Sequence, residues 1–107
     1  MAEPLVSVLM PVYQAEATLR QTLESLRSQT LDRFEIVAVD DGSTDASPSI
    51  LEIWQQTDPR LRTVILPHAG LTHALNRGLQ SCTAPYVARM DADDLAAMPP
   101  SAPAAVE

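Results

Sequence analysis

Short uninterrupted apolar runs alternate along this chain with stretches in which apolar residues recur every three or four positions. Leu5-Val6-Ser7-Val8-Leu9-Met10 reads as a first strand, and Pro11 is expected to stop it because proline has no N–H to donate to a ladder. Leu19, Leu23 and Leu26 then recur at helical spacing, with Glu16, Arg20, Gln21, Glu24 and Arg27 on the opposite face. An amphipathic helix covering a sheet is predicted there. The β-branched run from Phe34 to Val39 predicts a buried second strand, and it ends abruptly in Asp40-Asp41-Gly42-Ser43. Ser47-Pro48 predicts a helix start, with serine as cap and proline in the first turn, followed by a face of Ile50, Ile53 and Trp54. Trp54 is read as core packing. Asp58-Pro59 ends that helix, and Leu61 to Leu66 is the third strand. After the loop Pro67-His68-Ala69-Gly70, residues Leu71, Ala74, Leu75, Gly78 and Leu79 predict a third helix, with small Ala74 and Gly78 facing the sheet. Tyr86 to Met90 is the fourth strand, and it runs into Asp91-Ala92-Asp93-Asp94. A second strand therefore ends in acid.

The order β-α-β-α-β-α-β predicts the α/β class: three α/β/α layers around a mostly parallel sheet with right-handed crossovers. The expected strand order is 3-2-1-4, with a switch point between strands one and four. The carboxyl ends of strands one, two and four, carrying Tyr13, Asp40-Asp41 and Asp91 to Asp94, would then line one crevice. Residues 1–98 are expected to form this domain and residues 99–107, rich in Ala and Pro without periodicity, a disordered or loosely packed tail.

A chain of 107 residues is long enough for one core and too short for two. The formal net charge of −7, without any run of basic residues, argues against nucleic acid or an anionic membrane as partner. A bound nucleotide would need a cation between its phosphates and these carboxylates. Cys82 is the sole cysteine, so an intrachain disulfide and a Cys-rich zinc site are both excluded, and it is read as a small buried hydrophobe. The start, Met1-Ala2-Glu3-Pro4, has no basic leader, and the apolar run after it is too short to span a bilayer. A cytoplasmic domain is expected.

The pair Asp91-x-Asp93 at a strand end can share a hard divalent cation that keeps positions open for substrate oxygens, which suits Mg²⁺ or Mn²⁺. His68 and His73 have no partner at metal-ligand spacing and are read as surface residues, as is Arg77.

Four motifs stand in register: Val6-Ser7-Val8-Leu9-Met10-Pro11-Val12-Tyr13, Val39-Asp40-Asp41-Gly42-Ser43-Thr44-Asp45, Gly70-Leu71-Thr72-His73-Ala74-Leu75-Asn76-Arg77-Gly78 and Met90-Asp91-Ala92-Asp93-Asp94. In order and spacing, residues 5 to 98 resemble the nucleotide-binding half of family 2 glycosyltransferases with the Rossmann-like GT-A fold. The resemblance implies that Pro11, Val12 and Tyr13 border the nucleoside, with the Tyr13 ring against the base. It implies that Asp40 accepts the uracil imide N–H, which would reject a base lacking that donor. Asp41 stands beside it as a further candidate contact. Asp91 would lie by the ribose and metal, Asp93 would hold the Mn²⁺ or Mg²⁺ on the diphosphate, and Asn76 would be a polar contact from the third helix.

The implied donor is a UDP-sugar and the acceptor an unidentified glycan, lipid or other molecule, with the parent protein at the inner face of the membrane. Two departures matter. Gln14 stands where many members carry Asn, and the acceptor-binding half, which would supply the general base, is expected beyond this chain. Its absence would leave strand four as an open edge through which copies of the chain could pair. A non-catalytic nucleotide-binding or interaction module is the competing reading. A phosphoacceptor signalling domain would need its acidic pair after strand one, and a dinucleotide oxidoreductase would need a Gly-rich turn there. Neither is present.

Overall fold

A computed structural model of the chain describes residues 3–29 and 33–93. The expected tail and Asp94 lie outside them. The apolar runs form β1 (Val6–Val12), β2 (Phe34–Asp41), β3 (Leu61–Leu66) and β4 (Tyr86–Arg89), and the periodic stretches form α1 (Leu19–Arg27), α2 (Ser47–Thr57) and α3 (Leu71–Ser81). The strands make one sheet in the order β3-β2-β1-β4, every pair parallel. The predicted order and class hold.

One boundary differs from expectation, because β1 continues through Pro11 to Val12, which pairs with Asp40. The reason is parity. Leu5 and Leu9 carbonyls accept N–H groups at the β4 side, from Tyr86 at 3.4 Å and Met90 at 3.1 Å, so Pro11 also turns its nitrogen that way. The β4 pairing ends at Leu9, so no ladder bond is lost where proline lacks its donor.

Alternation along the strands divides the core between the two sheet faces. Val6, Val8, Met10, Val12, Ile36 and Ala38 meet Leu19, Leu23 and Leu26 of α1 and Ile50 and Leu51 of α2. On the other face Leu9, Val37 and Val39 meet Ala74 of α3 and Leu66. A Cβ on Gly78 would collide with Leu9 and Val39, so α3 reaches the sheet only because that position is bare. Ala74 and Gly78 pack as expected; Leu71 and Leu79 at the ends of that face stay exposed.

In α2 the packing face is rotated from the predicted one. Leu51 is fully buried and Ile53 is exposed, while Trp54 packs partly buried against the core with the Arg27 guanidinium 4.4 Å above its ring. The cap differs as well. Ala46 occupies the cap position, Asp45 Oδ1 accepts the Ser47 N–H at 2.9 Å, and the Ser47 hydroxyl accepts the Ala15 N–H at 2.9 Å. Among the described residues no helix is long and apolar enough to cross a membrane.

At the amino end of the sheet, Glu35 joins three strands. Its carboxylate accepts the Ser7 hydroxyl and the Thr83 N–H and hydroxyl, the last two at 2.7 and 3.0 Å, and pairs with Arg62 at 3.1 Å. Burial pushes this carboxyl up, but the Ser7 and Thr83 hydrogen bonds and the Arg62 charge outweigh it and hold the group below its ordinary value. The segment entering β4 is thus tied to the middle of the sheet. Nearby Cys82 is half buried rather than fully so, and burial raises its thiol above the ordinary range.

Candidate active site

The carboxyl ends of β1, β2 and β4 open into a crevice of about 600 Å³. A concavity of similar size, about 590 Å³, lies at the opposite end of the sheet, where Arg60 and Arg62 are already paired to Asp58 and Glu35. The carboxyl end is the one that chain direction favours for ligands, since the strands of a parallel sheet deliver their loops there.

Pro11, Val12, Tyr13, Asp41, Asp91 and Asp93 all line the crevice, so most of the residues expected at the site converge. Asp40 does not. Successive side chains of a strand take opposite faces, and Asp40 follows Ile36 and Ala38 to the side of α1 and α2, where it is fully buried. Its Oδ2 accepts the Ser43 N–H at 2.9 Å, closing the turn, and its Oδ1 has no hydrogen-bond partner. The carboxylate of the pair that reaches the crevice is therefore Asp41. Asn76 is likewise away from the crevice, exposed on α3 outside its lining.

Asp41 organises the loop before α3. Its two oxygens accept the N–H groups of Ala69 at 2.9 Å and Gly70 at 3.1 Å. His68, read from sequence as a surface residue, sits at the centre of this group. Its ring stacks on Tyr13 with centroids 4.5 Å apart and planes at 21°, and its Nδ1 lies 3.0 Å from Asp41 Oδ2. Gly42, at φ +74°, lets the strand end approach so closely that a Cβ there would strike the His68 backbone. No spacing rule could have found this contact, because it joins residues 13, 41 and 68 through tertiary packing alone.

The loop after β1 is laced to the loop after β2. Gln14 N–H donates to Ser43 Oγ at 2.9 Å, Glu16 N–H to Asp45 Oδ2 at 3.1 Å, and in return Thr44 and Ala46 N–H groups donate to the side chains of Gln14 at 2.6 Å and Glu16 at 2.8 Å. Gln14 stands at φ +52°, so the turn that carries Tyr13 outward is held by its neighbours. Burial of Asp45 pushes its carboxyl up, but the Ser47 and Glu16 hydrogen bonds outweigh that and leave it below the ordinary range.

The acidic segment after β4 is held from the other side by α1. The Ala92 carbonyl accepts the hydroxyls of Thr18 at 3.1 Å and Thr22 at 2.7 Å, and Ala92 itself is buried. Burying the middle residue turns its two neighbours outward. Asp91 and Asp93 are both exposed on the crevice wall, and Arg89 pairs with Asp91 at 3.2 Å. Among the described residues no three His, Cys, Asp or Glu side chains converge on one point. What the site offers a cation is an oxygen-only pair with its remaining positions left to a ligand, a donor set that fits Mg²⁺ or Mn²⁺ and not zinc.

Comparison with known proteins gives the same picture. EpsH of Bacillus subtilis is 42% identical over 94 residues, which is 88% of this chain and 27% of that protein. Glycosyltransferase GlyA of Streptococcus pneumoniae is 42% identical over 89 residues, 83% of this chain and 13% of that one. Among solved structures, residues 1–349 of S. aureus TarS in complex with UDP-GlcNAc superpose with a TM-score of 0.77 at 30% identity, covering 82% of this chain and 26% of that one. The Pyrobaculum calidifontis mannosyltransferase PcManGT, in complex with GDP-Man and Mn²⁺, does so with a TM-score of 0.76 at 32% identity, covering 92% and 30%. The chain thus spans less than a third of the length of these relatives. The family model for glycosyl transferase family 2 matches residues 7–99, which takes in β1 from its second residue, the other six elements and every wall of the crevice, and the chain belongs to that family.

Proposed function

We propose that this chain binds the nucleoside diphosphate end of a sugar donor, a UDP-sugar, and that the protein carrying it transfers the sugar to an acceptor such as a glycan or a lipid. The observation that carries the reading is the convergence of an exposed aromatic ring, Tyr13, a strand-end carboxylate, Asp41, and the outward pair Asp91 and Asp93 in one crevice. Tyr13 offers a stacking face to the base, and Asp41, in place of Asp40, accepts the imide N–H. Asp91 and Asp93 hold Mn²⁺ or Mg²⁺. When bound, the cation neutralises charge on the departing diphosphate. Asp91 also faces the ribose. The fold family and the neighbours that hold UDP-GlcNAc and GDP-Man support a nucleotide-sugar donor. We also infer that copies of this chain associate through the outer edge of β4, which no strand covers among the described residues.

Thermal denaturation tests the donor reading. A ligand at about 100 times its dissociation constant stabilises by roughly 2.7 kcal/mol, a shift on the order of 10 °C for a domain of this size. Mn²⁺ with UDP should shift the melting temperature more than the two shifts added, because diphosphate oxygens complete the coordination shell. Asp93→Asn should remove that excess. An unmutated protein that gains nothing from the combination would leave the non-catalytic interaction module as the reading.

A further inference from the structure

One face of the Tyr13 ring is already covered. His68 lies flat over it at 4.5 Å, and the same imidazole has its Nδ1 3.0 Å from Asp41 Oδ2 and 3.0 Å from the Asp41 carbonyl oxygen. These are the two partners a uracil ring would need at this place: an aromatic face for stacking and a carboxylate for its N–H. Two rings at stacking distance leave no slot for a third between them.

We infer that His68 is an internal occupant of the base subsite, and that a nucleotide enters by displacing its imidazole from Tyr13 and Asp41. The inference rests on the donor reading above. What can move is the side chain and not the loop. The Ala69 and Gly70 N–H groups are bound to Asp41, and the His68 backbone is packed against Gly42. The His68 side chain, 55% exposed, is free to rotate about χ1 into solvent. Its departure leaves Asp41 Oδ2 with the Gly70 N–H and an acceptor site open to the base.

Around the imidazole the crevice is lined by Tyr13 just past β1, Asp41 at the end of β2, Arg89 of β4, and Asp91 and Asp93 beyond it.

UDP affinity, measured calorimetrically with Mn²⁺ present for the unmutated chain, His68→Ala, His68→Phe and Tyr13→Ala, tests this. His68→Ala should bind UDP roughly three- to tenfold tighter. His68→Phe keeps the ring but not the Asp41 contact, so it should stay near the unmutated affinity. An unmutated chain that binds UDP, a Tyr13→Ala that does not, and a His68→Ala equal to or weaker than the unmutated chain would overturn the inference and leave the donor reading standing. Absence of UDP binding in the unmutated chain would overturn both.

Discussion

Asp40 and Asp41 are adjacent carboxylates with different fates, and one bond of chain direction separates them. Asp41 enters the crevice with Tyr13, while Asp40 is fully buried on the other face and holds the Ser43 N–H. Calorimetry with UDP and CDP separates the roles, because cytosine lacks the N–H that uracil offers at the same ring position. A charge-assisted hydrogen bond contributes about 1.5–3 kcal/mol, so UDP should bind on the order of ten- to a hundredfold more tightly than CDP. Asp41→Asn should abolish or invert that preference, since an amide can donate to cytosine. Asp40→Ala leaves the partly buried Ser43 N–H without its acceptor and should cost about 1 kcal/mol of stability with the UDP to CDP ratio unchanged. If instead the Asp40 variant erases the preference, the assignment of the base contact to Asp41 is wrong.

Elements matter here through how they hold one another's ends. The acidic segment after β4 is held by the start of α1: the hydroxyls of Thr18, at the helix cap position, and of Thr22 within it both donate to the Ala92 carbonyl. Thr22 is buried, so Thr22→Val keeps the shape and removes one donor. The substitution should cost about 1 kcal/mol and should weaken UDP binding several-fold in the presence of Mn²⁺ but not in its absence. An equal loss with and without the metal would mean that Thr22 supports the crevice as a whole and not the acidic pair. The helix face carrying these threonines was legible as a helix from Leu19, Leu23 and Leu26. Their purpose was not, because a hydroxyl next to an apolar stripe has no signature until its partner, some 70 positions away, is brought over it.

At the scale of the molecule, β4 stands at the margin of the sheet among the described residues. Tyr86 and Met90 donate toward β1, so by alternation the Val87 N–H points outward. The chain should form dimers or larger species as concentration rises, and Val87→Pro, which removes an outward donor without touching the β1 ladder, should shift sedimentation toward monomer. A single monomeric boundary for the unmutated chain at high concentration would end the proposal.

By itself the sequence determined the seven elements, their parallel order and the acidic strand ends, because each is written in local period, β-branched runs and turn residues that act within a few positions. Even Gly78 announced close packing, since a bare position on an apolar helix face has little other use. Which of two neighbouring carboxylates faces the crevice, where Pro11 fits without loss, which side of α2 packs, and how His68 comes to stack on Tyr13 beside Asp41 were decided only by the tertiary structure. Each of those depends on where a strand ends relative to its neighbour and which face it turns, and that is fixed by the packing of both layers on the sheet together.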